Sequence, residues 1–336
     1  MCPLNKSQAW ADINDILRNH LTACRAAKVD LEQNCFYDIV PEKFLLQYCS
    51  LRTDITEHVL KTCPKPENYG FLLQLVKMIS KIKEQPLNVD SSSLIGYMAL
   101  PRARALYKKM VRNPEQRIDY DAFRSKTGRL TTTKSSFPIL TLDRNFRSII
   151  KPNNDYFVEL DFNAAELRTL LALSDKEQPK GDIHDWNIKN IYGGALTRDE
   201  AKKKIFAWLY NPESKDRFPA TAYNRTAVLD KYFDKGFVRT PFDRLIPADH
   251  HHALNYIVQS TTSDLFLKRA IAVGEQLENK KSNIAFLLHD SLVIDFSKED
   301  SSALGTLIES FSNTHFGEYV TNISVGKNFG SMRRHK

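Results

Sequence analysis

The stretch Leu196–Pro212, LTRDEAKKKIFAWLYNP, decides how the rest of this 336-residue chain is read. Arg198, Lys202, Phe206 and Tyr210 fall four residues apart, so a helix here carries two cations and two aromatic rings in one stripe. Each step of four residues rises about 6 Å. Cations at one end are thus spaced to hold phosphates while rings at the other meet a sugar and a base. Lys203 and Lys204 leave the stripe and read as a solvated face.

Two aspartates flank this run in sequence, Asp161 in VELDFNAAELR and Asp290 in FLLHDSLVIDF. The first ends an apolar strand and the second sits at the tip of a strand pair, where a carboxylate is costly to bury unless a cation or water meets it. Two such carboxylates suit a pair of divalent ions roughly 4 Å apart, the arrangement that serves phosphoryl transfer.

Composition sets the outer bounds. Hydrophobic content of 42% with 10% aromatic residues describes a globular chain long enough for one large or two to three modest domains. No apolar run is long enough to span a membrane, and the opening MCPLNKSQAWADI lacks the apolar core of a signal peptide, so a cytoplasmic protein is expected, in a host cytoplasm if the source is viral. The net charge of +8, from 48 basic and 40 acidic residues, mildly favours polyanions. All five cysteines, Cys2, Cys24, Cys35, Cys49 and Cys63, lie in the first fifth of the chain with no CxxC pair, which reads as reduced thiols.

Periodicity of three and four predicts helices over residues 8–28 and 42–63, then NYGFLLQLVKMISKIKE, then SLIGYMALPRARALYKKMV, interrupted or kinked at Pro101. Residues 113–154 lose that pattern, which places the main domain boundary near 115. Beyond it the expected order is strand YFVELDF, helix AAELRTLLALS, helices on either side of Tyr192, and a further helical stretch after Pro212. A turn-rich KGFVRTPFDRLIP follows, then a long helix from about His252 to Glu278. SNIAFLLHDSLVIDFS reads as two strands whose connection pushes His289 and Asp290 into a cleft.

These motifs together resemble DNA polymerase family A, the family of bacterial DNA polymerase I and of some phage replicases. TGRLTT (Thr127–Thr132) resembles the family's TGRLSS, DFNAAELR (Asp161–Arg168) its DYSQIELR, and GDIH (Gly181–His184) its DIH. RDEAKKKIFAWLYN fits its R-x3-K-x3-F-x3-YG helix, with Asn211 in place of glycine. ALNYIVQSTTSDL (Ala253–Leu265), LHDS (Leu288–Ser291) and VGKNFGSMRRH (Val325–His335) complete seven matches in family order across residues 117–336.

The resemblance implies an α+β right-hand polymerase: an antiparallel palm sheet over 116–336, helical fingers inserted at about 167–252, and a shortened helical thumb at 61–115. It implies template-directed addition of dNMP from dNTP to a primer 3′ hydroxyl, with pyrophosphate leaving. Asp161 and Asp290 would bind two Mg²⁺ ions, with Mn²⁺ as a substitute and the Phe162 carbonyl as a further ligand. Arg198, Lys202, Phe206, Tyr210, Glu166 and His184 would meet the dNTP, Glu166 together with Tyr210 excluding a ribose hydroxyl. Arg129, Asn255, Gln259, His289 and Arg168 would contact primer-template DNA.

Three departures stand out: Ser291 where the family has glutamate, leaving Asp161 and Asp290 as the only acids of the site; His251 for an arginine; and Ser260 for a glycine. Val40–Leu60 resembles the last motif of the family's proofreading exonuclease domain, but Arg52 stands at the aspartate position, with Asp54 two residues on. No exonuclease activity is expected of this chain, and residues 1–60 read as a remnant or a docking segment for a separate exonuclease or replication subunit. The rival readings are a single-subunit RNA polymerase-like enzyme, against which Glu166 argues, and a catalytically silent DNA-binding subunit, against which retention of both aspartates, Arg198 and Lys202 argues.

Overall fold

In Tyr156–Phe162 every second residue from Val158 on, Val158, Leu160 and Phe162, is buried on one face, while Glu159 and Asp161 lie half-buried on the other. That period of two makes it a strand. In the computed structural model, which describes residues 3–31, 34–211 and 213–335, it becomes the central strand of a five-stranded antiparallel sheet. Cys2 and the expected break at Pro212 lie outside the described residues. The four described cysteines are free thiols.

The chain separates into two compact units, one through Glu67 and one from Asn68 onward. The first pairs helix α1 (Ser7–Ala26) with α3 (Glu42–Thr62), joined through the single turn α2 (Phe36–Ile39). Its core is small: Ile13, Val40 and Phe44, walled by Trp10, Leu17 and Tyr48.

The second unit opens with α4 (Tyr69–Glu84) and α5 (Pro101–Arg112). Pro101 starts α5 instead of kinking a longer helix, as expected of a residue whose missing N–H costs nothing in a first turn. Strands β1 (Tyr120–Asp121) and β2 (Thr131–Thr132) form a short hairpin, and β3 (Tyr156–Phe162) follows. Helices α6 (Ala165–Leu173), α7 (Ile183–Asn190), α8 (Arg198–Tyr210) and α9 (Arg225–Tyr232) come next. A small sheet of β4 (Phe233–Asp234), β5 (Phe237–Arg239) and β6 (Leu245–Pro247) leads into the 27-residue α10 (His250–Gln276). The chain closes with β7 (Asn283–Leu287), β8 (Ser291–Phe296), α11 (Leu304–Ser312), the pair β9 (Asn313–Thr314) and β10 (Gly317–Glu318), then β11 (Thr321–Gly326) and β12 (Arg333–His335).

The main sheet runs β12-β11-β3-β8-β7, every pair antiparallel. It packs against α4, α5, α11 and the C-terminal half of α10 in one core containing Phe71, Leu106, Phe157, Phe286 and Phe311. The change of sequence character near 115 therefore falls inside a compact unit. A second core gathers Leu170, Ile205, Trp208, Tyr223 and Ile257 beneath α6 to α9 and the N-terminal half of α10. Helix α10 belongs to both cores, so it ties the sheet to the helical layer.

Candidate active site

The register of the sheet decides where the acids meet. Asp161 stands opposite Ser291 across β3 and β8, and the N–H of Phe162 donates to the carbonyl of Asp290 at 3.4 Å. The aspartates, 129 residues apart in sequence, thereby share one end of two adjoining strands, as the sequence predicts. Burial is the chief cause that raises both carboxyl pKa values, Asp161 to about 7. Asn322 opposes this at Asp161 by donating to Oδ2 at 3.0 Å, while the charges of Asp290 and Glu159 add to it. Asp290 reaches solvent, and water screens part of its penalty.

Glu159 is the acid that the sequence reading missed. It lies two residues before Asp161 on the same face of β3, and the Ser291 hydroxyl donates to its Oε1 at 3.0 Å. The expectation that the site relies on Asp161 and Asp290 alone is corrected: a third carboxylate is present, on the central strand. The alternation of YFVELDF could have revealed it, because residues i and i+2 of a strand share a face.

Helix α8 forms as its sequence dictates. Thr197 caps it and Glu200 closes the capping box, with Thr197 N donating to Glu200 Oε2 at 2.9 Å. Ala201, Ile205, Trp208 and Leu209 face the core, and the stripe of Arg198, Lys202, Phe206 and Tyr210 runs along its margin, with both rings partly buried against that core. Phe206 and Tyr210 stack with centroids 6.1 Å apart, and the His184 ring lies 6.3 Å from Phe206. Arg198 bonds Asp182, which Asn163 also bonds, and Tyr210 bonds Glu166, so both ends of the stripe are tied to residues within five positions of Asp161.

At the far end of the stripe, the Tyr210 hydroxyl donates to Glu166, and Glu166 also pairs with Arg129. Gln259 of α10 interacts with the same hydroxyl. Glu166 owes its place to the turn before α6, where Ala164 takes a left-handed φ of 51° and swings the chain from strand to helix. His184 is buried, its pKa lowered by that burial and by Arg198, and its Nδ1 has no partner among the described residues. At the near end, Arg198 Nη2 donates to Asp182 Oδ2 at 2.8 Å.

Of the remaining expected contacts, Arg168 is positioned differently. Arg168, expected to touch DNA, is fully buried: its guanidinium donates to the carbonyls of Asn163, Pro179 and Gly181 at 2.8, 2.8 and 2.6 Å. It is a brace that ties α6 to the loop before α7, because five N–H donors can satisfy a cluster of carbonyls that nothing else reaches. Phe162 presents only backbone to the site, since its ring is buried in a 4.2 Å stack on Phe311. Asn255 is half-buried with Oδ1 lacking a partner among the described residues, Ser260 Oγ is buried and likewise unpaired, and His251 and His289 are exposed.

Among solved structures, the chain is similar to the polymerase domain of Pol1 from M. smegmatis in complex with DNA primer-template and dNTP. The TM-score is 0.62 at 13% sequence identity, over 86% of this chain and 76% of that one. No protein-family model and no curated protein matches the sequence. The fold is thus α+β and is that of a Pol I polymerase domain, a family A DNA polymerase, as the motif order predicts.

Proposed function

We propose that this chain, whose fold is that of a family A DNA polymerase domain, is a template-directed DNA polymerase that extends a primer 3′ hydroxyl with dNMP from dNTP and releases pyrophosphate. One observation carries the reading. Asp161 and Asp290 share one end of the sheet, and both ends of the stripe are hydrogen-bonded to the segment that follows Asp161, Arg198 through Asp182 to Asn163 and Tyr210 directly to Glu166.

The donor set fits a hard divalent cation. Asp161 and Asp290 offer oxygen ligands at one end of adjoining strands, Glu159 adds a neighbouring charge, and the burial that raises their pKa values is a cost that a bound cation offsets. Among the described residues no three or more His, Cys, Asp or Glu side chains form a complete cage. Mg²⁺ is usually held by one or two carboxylates, with substrate phosphates and water completing its shell. Two Mg²⁺ ions, with Mn²⁺ as a substitute, would supply activation of the 3′ hydroxyl and neutralisation of the leaving oxygen, held by Asp161, Asp290 and the Phe162 carbonyl.

The chain's own residues do the rest by positioning. Arg198 and Lys202 grip the triphosphate through charge-assisted donors and oppose charge that builds as the α-phosphate is attacked. Phe206 packs on the sugar, and Tyr210, locked by Glu166, closes the space a ribose hydroxyl would need. Arg129, Asn255 and Gln259 meet acceptors that every base pair presents in the minor groove, so they test pair shape without reading sequence. His289 supports the primer terminus. Helix α5, with five cations and no acid in PRARALYKKMVR, grips duplex backbone as part of a thumb. The first unit is a docking segment for a separate exonuclease or replication subunit.

Primer extension with Mg²⁺ and four dNTPs tests this directly. The wild-type chain extends the primer, and Asp161→Asn and Asp290→Asn lower the rate on the order of a hundredfold or more. Equal extension by wild type and both variants would overturn the assignment.

A further inference from the structure

The loop between β1 and β2, residues 122–130 of sequence AFRSKTGRL, carries an exposed ring and two cations that have no part in the polymerase chemistry proposed for the site. Phe123 is 68% exposed, equal to the most exposed of the large hydrophobic residues described. Arg124 and Lys126 beside it are exposed, and neither has an acidic partner among the described residues. An exposed apolar ring flanked by unpaired cations, at the lip of a cleft against Val76 and Ile79 of α4, is poorly suited to water alone, and it matches the chemistry of a base or sugar face beside phosphates.

The loop is not slack. Asp121 Oδ1 accepts from the N–H of Phe123 at 2.9 Å and of Arg124 at 3.1 Å, Gly128 N–H donates to the Ser125 carbonyl at 3.2 Å, and the Ser125 and Thr127 hydroxyls lie 3.1 Å apart. Both ends are anchored to the candidate active site. At one end the buried Tyr120 hydroxyl donates to the Leu287 carbonyl at 2.6 Å and accepts from its N–H at 2.9 Å, three residues before Asp290. At the other, Arg129 pairs with Glu166, five residues after Asp161. Phe123 lies three residues from the first anchor, so its Cα is within about 11 Å of the Tyr120 Cα. The loop backbone that carries the ring is therefore ordered before any ligand arrives.

Resting on the polymerase reading of that site, we propose that this loop is a second DNA contact: Phe123 packs into the minor groove of the primer-template duplex beside the primer terminus, and Arg124 and Lys126 hold flanking phosphates. Apolar side chains inserted at base steps and cations on the backbone are the usual division of labour in this groove. The loop's rigidity removes the ordering cost that a flexible arm would meet on binding.

The experiment is a fluorescence anisotropy titration of the full chain with a primer-template duplex, and with a single strand of equal length, between 50 and 200 mM KCl. Wild type, Phe123→Ala and the double variant Arg124→Ala/Lys126→Ala are compared, with thermal melts to establish that each folds. The double variant weakens duplex binding and lowers the slope of log K against log salt by nearly two, about 0.9 for each phosphate that is no longer neutralised. Phe123→Ala weakens duplex binding on the order of tenfold with the salt slope retained, as removal of a stacking or wedging ring requires. Wild-type affinity and slope in folded variants would overturn the proposal, and an effect confined to the single strand would overturn the duplex assignment. A wild-type chain that binds duplex with these dependences but extends no primer would sink the polymerase reading and leave the loop proposal standing.

Discussion

Arg198 donates through Nη2 to Asp182 Oδ2 at 2.8 Å, so the first cation of the α8 stripe is already held in place by the residue that caps α7. Burial opposes ionisation of Asp182, but the bonds from Arg198 and Asn163 outweigh it and bring its pKa down to about 2. Under the proposed function, a triphosphate would meet a guanidinium that is already aimed.

Arg198→Ala raises the KM for dNTP about tenfold or more, the loss expected of a hydrogen bond to a charged group. It also raises the Asp182 pKa toward the ordinary carboxylate value. Because that pKa is depressed in the folded state, the stability Asp182 contributes is present above about pH 4 and is lost as the pH falls toward 2. Steady-state kinetics and NMR titration read the two effects separately.

Asp161 works in the opposite sense. With its folded pKa raised to about 7, the metal-free fold holds a proton that the unfolded chain releases near pH 4, so stability falls as pH rises between the two. Denaturant melts without metal show a decline of about 2–4 kcal/mol across that window, the upper figure being the unscreened shift. Mg²⁺ binding, measured by calorimetry, tightens over the same window, and Asp161→Asn flattens both profiles.

Glu159→Gln keeps the shape and the Ser291 hydroxyl bond but removes a charge beside Asp161. The Mg²⁺ concentration for half-maximal extension rises severalfold, and the pH midpoint of metal binding shifts downward because one negative neighbour of Asp161 is gone. An unchanged Mg²⁺ requirement would show that Glu159 contributes only to the sheet.

Glu166→Ala removes the acceptor that holds both Tyr210 and Arg129. Discrimination of dNTP over rNTP falls by about one to two orders of magnitude, the scale of a single steric or hydrogen-bond term in a closed pocket. Competitive incorporation of ATP against dATP on one template measures it.

Gly128 has φ of +75°, and a Cβ there would lie 2.6 Å from Arg244 Cζ. That guanidinium forms two bonds to the buried Asp264 of α10, at 2.7 and 3.0 Å. Arg244→Ala strands a buried carboxylate and costs about 3–5 kcal/mol, and Gly128→Ala destabilises by displacing the same group. Urea unfolding of both variants checks the ranking against wild type.

Much of this was legible in residue order. YFVELDF, the pair of strands around His289 and Asp290, and the stripe of α8 announce themselves through periods of two and four, and their motifs fix which elements converge. Glu159 escaped because attention to motif spacing passed over a strand neighbour. Arg168 misled because the motif match assigned it to DNA, whereas only the fold shows the carbonyls of Asn163, Pro179 and Gly181 gathered around it. The fate of Pro101, a helix start instead of a kink, turned on whether the residues before it were helical, which periodicity alone does not decide.

The Tyr120 hydroxyl has one more effect. Strand β7 is an outer strand of the main sheet, and its Leu287 spends both outward backbone groups on that phenol. Burial raises the phenol pKa, so its proton stays in place. At the opposite border β12 presents Arg333, Arg334 and His335, all exposed. One margin is stoppered by a side chain and the other fenced by like charge, which discourages a neighbouring molecule from adding a sixth strand and guards a basic chain against self-association at the concentrations its assays require.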